Sequence, residues 1–299
     1  MSRQRIRAGS SGKQQIVEDA MIPPSMIRQW RQIVQATLLA LGLGMAAWAQ
    51  DKPAATKRAD APQPASKPTT QPADAESMLR LTEKRYSEAK TYRDEGVVRI
   101  KMIQKSTTIE DERPFSTVFE RDGRFRWEFR SSAIPGGKPT MQYVVWSRDQ
   151  KTFDSWWDVT RKQEQQNSID TALAAPTGVS GGSATAIIPM LRKMQWGTKY
   201  SNLKNPTVKG TEKVQGVDCT IIQGQDFSGE PVRLWLDSSF AVRQIFESRE
   251  IDPAKLSKDE GKPTNIRQEK FISETTITIK PTFDEPIADK EFDFKPPGD

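Results

Sequence analysis

The 299-residue chain contains no histidine and only one cysteine. Without histidine it lacks the commonest general base, the commonest metal ligand and any Ser-His or Cys-His dyad. The lone Cys219 excludes an intramolecular disulfide and a thiolate metal cluster, so neither a metal nor a cofactor is expected. Apolar residues are also scarce: 35% are hydrophobic against 28% charged, and mean hydropathy is −0.68. That balance excludes a membrane bundle and points to a soluble chain with unstructured parts. Excess charge is mostly absent too. Residues 1–50 hold six Lys and Arg against two Asp and Glu, which leaves only about +2 of the net +6 for residues 51–299. A nucleic-acid binder would carry a basic patch on its folded part, so no nucleic-acid partner is expected.

Local signatures of chemistry are missing as well. No glycine loop follows a strand and opens a helix, and residues 176–183 lack the lysine of a phosphate loop. Asp111-Glu112, Asp154/Asp158 and Asp259-Glu260 sit where turns or strand ends are expected, and acids there are ordinarily solvated. Cys219 lies in an alternating strand, where a small buried thiol is the simplest reading. No catalytic residue is assigned, and the protein is expected not to be an enzyme.

There is one long apolar run. Residues 33–49 follow Arg28 and Arg31 and end Ala47-Trp48-Ala49, the pattern of a secretory signal peptide cleaved before Gln50. The alternative is an uncleaved anchor helix, for which about 17 residues is near the lower limit. A periplasmic location is expected. Residues 1–25 read as an extension before a start at Met26, and 26–49 as the signal peptide. Residues 50–75, rich in proline and alanine and without Val, Ile, Leu, Met or aromatics, read as a linker. One domain is then expected over 76–299.

Within it the clearest pattern is Phe119–Arg130. Phe125, Trp127 and Phe129 alternate with Arg124, Arg126, Glu128 and Arg130, which puts three aromatics on one strand face and charges on the other. Asp122-Gly123 suggests a two-residue hairpin turn, setting Val118 opposite Trp127 and Phe119 on the outer face. The arginines read either as a solvated face that discourages edge pairing or as donors to the carbonyls of a helical insertion. A helix over 76–92, strands near 97–103, 142–146 and 152–158, and more strands from 210 to 280 complete the pattern, with Asp111–Pro114 in a polar connection. Between them, residues 168–195 read as helical. Ala184, Ile187, Ile188, Leu191 and Met194 form one apolar stripe, after a glycine-rich break. That insertion is either a mobile lid or permanent core. The fold class expected is mainly β: an unclosed, strongly curved antiparallel sheet of eight to eleven strands, with a leading helix and a helical insertion.

The hairpins ERDGRFRWEF and VWSRDQKTFDSWW, the segment LWLDSSFAVRQI and the closing FDFKPPG together resemble the periplasmic outer-membrane lipoprotein carrier and lipoprotein-sorting family, over residues 76–298. The resemblance implies a half-open barrel with a helical lid over an apolar cavity for acyl chains. It implies that Phe125, Trp127, Phe129, Ile187, Ile188, Leu191 and Met194 line cavity and lid, and that Arg121 latches the lid. A lipid or acylated lipoprotein would be the partner of a monomer, with an envelope membrane protein as donor or acceptor. The alternative is an envelope sensor or scaffold that binds a protein partner on the sheet edge.

Overall fold

The computed structural model describes residues 74–297 except 106, 122, 133, 135, 150, 193, 195–199 and 253–268. The expected extension, signal peptide and almost all of the linker therefore lie outside the described residues. Helix α1 (Ala75–Glu88) begins at Asp74, whose carboxylate accepts from the Ser77 backbone N–H at 2.8 Å. Eleven strands follow: β1 (Thr91–Gln104), β2 (Thr107–Glu120), β3 (Phe125–Ser131), β4 (Met141–Ser147), β5 (Phe153–Trp157), β6 (Lys162–Gln166), β7 (Lys204–Val214), β8 (Val217–Gln225), β9 (Pro231–Asp237), β10 (Val242–Ile251) and β11 (Phe271–Phe283). They form one antiparallel sheet in the order β6-β5-β4-β3-β2-β1-β11-β10-β9-β8-β7, unclosed because β6 and β7 end it.

Between β6 and β7 the chain crosses the concave face as α2 (Ile169–Thr177), α3 (Ser183–Ala186) and α4 (Ile188–Leu191). Ser168 caps α2, accepting from the Thr171 N–H at 3.1 Å, as its position before an apolar run suggests. The continuous helix expected over 184–195 is instead two short ones. Pro189 has no N–H to donate and its ring would crowd the preceding turn, so the helix breaks at Ile187 and restarts with proline in its first turn. The apolar stripe is buried throughout, with Ala184, Ile188 and Leu191 inside the two helices.

The β2–β3 hairpin also differs from expectation. Phe119 pairs with Phe125, Thr117 with Trp127 and Phe115 with Phe129, one residue out of step with a two-residue turn. In a strand one step reverses the face. Phe119 therefore points inward beside Phe125 and is fully buried, rather than lying outside near Arg126. Asp111–Pro114 belongs to β2, not to a connection, and Pro114 stands just past the last pair with β3, where its missing donor is tolerated. The polar β6, KQEQQ, carries no apolar alternation and was not foreseen. The Gln215-Gly216 turn matches expectation, with φ of +50° and +82° joining Val214 to Val217.

One large apolar core fills the concave side, uniting α1, α2, α3, α4 and the inward residues of the strands. On the convex side a final helix, α5 (Asp289–Phe292), and residues 293–296 cover β3 to β5. Phe294 packs at a tilt against Trp146 and Trp156, at 5.0 and 5.5 Å between ring centres. Arg124 and Arg126, read from the sequence either as a solvated face or as donors to the helical insertion, are instead partners of this segment. Arg124 lies over the Phe292 ring at 4.4 Å and bonds Asp289, and Arg126 donates to the Asp293 carbonyl at 3.0 Å.

Candidate functional site

The inner wall of β3 presents Phe125, Trp127 and Phe129, all buried, continued on β4 by Tyr143. Trp127 lies 5.4 Å from Phe129, and Phe129 stacks on Tyr143 at 6.1 Å. Ile187, Ile188, Leu191 and Met194 are buried in the same core. The seven residues expected to line wall and insertion are thus brought together, with the insertion's own side chains occupying the space. Trp127 Nε1 is buried there without a hydrogen-bond acceptor, a gap in an otherwise apolar surface. A groove of about 480 Å³ lies on the opposite, convex face, lined by Trp146, Arg148, Asp154, Gln163, Phe294 and Lys295.

Arg121, at the end of the β2–β3 hairpin, binds three main-chain oxygens. It donates from Nη1 to Leu191 O at 2.6 Å, from Nη2 to Tyr86 O at 2.9 Å and from Nε to Ala89 O at 3.0 Å. The last carbonyls of a helix have no partner within it and carry the negative end of its dipole, so a guanidinium suits them. One arginine therefore joins the C-terminal ends of α1 and α4. Next to this junction Arg192 lies over the Phe153 ring at 5.2 Å. Burial depresses the Arg192 pKa, Asp170 counters this, and the nearby Arg121 charge depresses it further. The junction thus combines three strong hydrogen bonds with a like-charge repulsion.

A second arginine reaches the middle of the insertion, between α2 and α3. Arg113 of β2 donates from Nη1 to Val179 O at 2.5 Å, and its Nε binds Asp111 Oδ2 at 2.8 Å. Both side chains are buried. The sequence signal for this pair was available: Asp111, Arg113, Phe115, Thr117 and Phe119 alternate in one phase. It was obscured by placing Asp111–Pro114 in a loop.

A third buried polar group, Asp94, lies under α1. Its Oδ2 accepts from Tyr92 Oη at 2.8 Å, while Tyr86 Oη accepts from the Val242 N–H at 3.1 Å. Desolvation pushes the Asp94 pKa up to about 7, against hydrogen bonds from Tyr92 and Thr117 that lower it. Cys219 is buried on the convex side beside Val214 and Trp235, and burial raises its thiol pKa, the opposite of what a nucleophile needs. Among the described residues no group of three or more Cys, Asp or Glu side chains could hold a metal ion, and no helix is long and apolar enough to cross a membrane.

No family model matches the chain, and no curated protein matches it. Solved structures do. The chain is similar to a LolA superfamily protein from Nitrosomonas europaea at 10% identity and a TM-score of 0.29, covering 74% of this chain and 98% of that one. It is similar to LprF from Mycobacterium bovis at 10% identity and a TM-score of 0.36, over 72% and 94%. It is similar, too, to the structure of the Pseudomonas aeruginosa MucA/MucB complex at 10% identity and a TM-score of 0.37, over 74% of this chain and 61% of that one.

Proposed function

We propose that this protein is an exported, periplasmic binding protein that holds an apolar ligand, a lipid or lipoprotein acyl chain, against the inner wall of the open sheet. The ligand takes the place of the insertion. One observation carries this reading. The insertion is fastened by aliphatic side chains and by donors from the sheet to its main-chain carbonyls, Leu191 O and Val179 O. An apolar chain can replace the first and any ligand oxygen the second.

Magnitudes make the exchange close to balanced. Exposing Ile187, Ile188 and Leu191 costs about 1.5–3 kcal/mol each, or about 5–9 kcal/mol together. Burying a dozen methylenes at about 0.8 kcal/mol each returns about 10 kcal/mol. A near-balance of this kind gives reversible loading. Glycines 181 and 182, at φ of +65° and +92°, supply the backbone freedom for the movement.

A second reading is favoured by the burial of every residue from 183 to 191: the segment is fixed core, and a protein partner adds to an open sheet edge such as β6, whose five residues are polar and largely exposed. Native mass spectrometry of the protein purified after export separates the two. Co-purifying lipid is the expected result; protein free of lipid, even after incubation with vesicles, contradicts the first reading.

A further inference from the structure

An acyl chain in this position brings a polar head group with it, and the head group needs a place. Building on the proposed lipid-binding role, we propose that Asp111 and Arg113 form a subsite for the head group of a zwitterionic phospholipid whose cation carries N–H donors.

Both residues lie two apart on β2 and so share its inner face, opposite Ile100 and Val98 of β1. Their side chains are only 2% and 7% exposed. Burying an ion pair costs several kcal/mol per ion, and the attraction offsets that only when the remaining donors and acceptors are satisfied. Here they are not: Asp111 Oδ1 is buried and has no hydrogen-bond partner. Natural proteins seldom leave such an atom unmatched unless something else occupies the place at times.

What covers the pair is the insertion's main chain. Val179 O accepts from Arg113. Two residues on, a Cβ on Gly181 would come within 2.9 Å of Ile100 Cδ1 and Val98 Cγ1. The insertion's backbone therefore rests on the strand beside the ion pair, and when it lifts, Val179 O leaves with it. Arg113 then needs an acceptor and Asp111 Oδ1 a donor, at one location with no net charge.

A phosphate with an attached primary ammonium supplies both. The phosphate oxygen takes the place of Val179 O, and the ammonium meets Asp111 Oδ1. A purely anionic head is repelled by Asp111. A quaternary ammonium has no N–H to donate. Farther along the same inner face come Phe115 and, across from it, Phe129, so the ligand's chain continues onto the aromatic wall.

The test is competitive loading. The protein is incubated with vesicles containing equal amounts of phosphatidylethanolamine, phosphatidylcholine and phosphatidylglycerol with identical acyl chains, then recovered, and its bound lipid is extracted and quantified. Wild type should be enriched about tenfold or more in phosphatidylethanolamine, the range one charge-assisted hydrogen bond supports. Asp111→Asn removes the acceptor for the ammonium and leaves Arg113 without its counter-charge, so enrichment in phosphatidylethanolamine should be lost and phosphatidylglycerol should gain. Bound lipid in the vesicle ratio for wild type, as expected if water alone fills the gap at Oδ1, overturns the subsite whatever the variant does. So does a preference that persists in Asp111→Asn. A wild type that takes up no lipid at all instead removes the binding function itself, a distinct result.

Discussion

Two segments cross the sheet, one on each face, and they are fastened by different chemistry. On the convex side, residues 289–296 are held mainly by specific side chains, although Arg126 also donates to the Asp293 carbonyl. Phe294 sits between two tryptophans, Arg124 pairs with Asp289 and Arg148 with Asp293. On the concave side, the bonds from the sheet to residues 169–191 go to carbonyls: Tyr143 Oη to Ala172 O, Arg113 to Val179 O and Arg121 to Leu191 O. Beyond these bonds and the Arg192 guanidinium over the Phe153 ring, the inner segment relies on non-directional apolar burial. A strap held by matched side chains has no ready substitute. One held by carbonyl acceptors and aliphatic packing can be replaced by any molecule with oxygens and a hydrocarbon chain. On the proposed function, the outer segment is a permanent cover and the inner one an exchangeable one.

The strongest attempt to break this comparison is Ile187→Asp. Burying an unpaired carboxylate costs more than about 3 kcal/mol, so the insertion should leave the sheet. Far-UV circular dichroism should keep its β signal while proteolysis within 178–182 accelerates. Cooperative loss of the whole sheet would make the inner segment as permanent as the outer.

Next in size is a pH effect that belongs to the fixed part of the concave side. The folded-state pKa of Asp94, about 7, lies above its ordinary value, so the folded protein holds the proton more tightly than the unfolded chain does. Stability from this group is therefore full below about pH 4 and falls as the pH rises towards 7, by on the order of 3–4 kcal/mol. Asp94→Asn should remove most of that fall in denaturant titrations at pH 4 and pH 8, and insertion release should not follow it. An unchanged pH dependence would mean that Asp94 is not the group responsible.

On the outer side, Phe294→Ala should cost about 2 kcal/mol and lower Tm by about 4–8 °C, with lipid loading unaltered. Loading that changes as well would show the two faces to be coupled. The smallest effect is expected from Arg121→Lys, which keeps the charge but loses the guanidinium fork. Because two of the three Arg121 bonds serve α1 rather than the insertion, only a several-fold faster ligand exchange is expected, read by transfer of a fluorescent lipid. Exchange at the wild-type rate would reduce Arg121 to a helix cap.

Much of the sheet was legible because period-two alternation survives wherever one face is buried. Phe125, Trp127 and Phe129 share one face on that basis, and all three are buried in the concave core. What alternation cannot supply is loop length. Counting the β2–β3 turn one step short put Phe119 on the wrong face. Periodicity also outweighed Pro189, whose effect on the helix is local and covalent. The convex strap stayed hidden for another reason: Phe292 and Phe294 lie in a short segment with no repeat to reveal a partner, and arginines over aromatic rings look the same in sequence as arginines in water. The part of the site found only in the structure, Asp111 with Arg113, follows a readable alternation in which charge occupies the inward phase, a position ordinarily reserved for apolar side chains.

The central claim, that the concave segment yields to a ligand while the convex one does not, is tested most directly by hydrogen–deuterium exchange with and without saturating phospholipid. Amides of residues 183–191 should lose protection when lipid binds, while those of residues 289–294 and of the strands beneath them keep theirs. Bound lipid with residues 183–191 as protected as before would contradict the account and make that segment part of the permanent core.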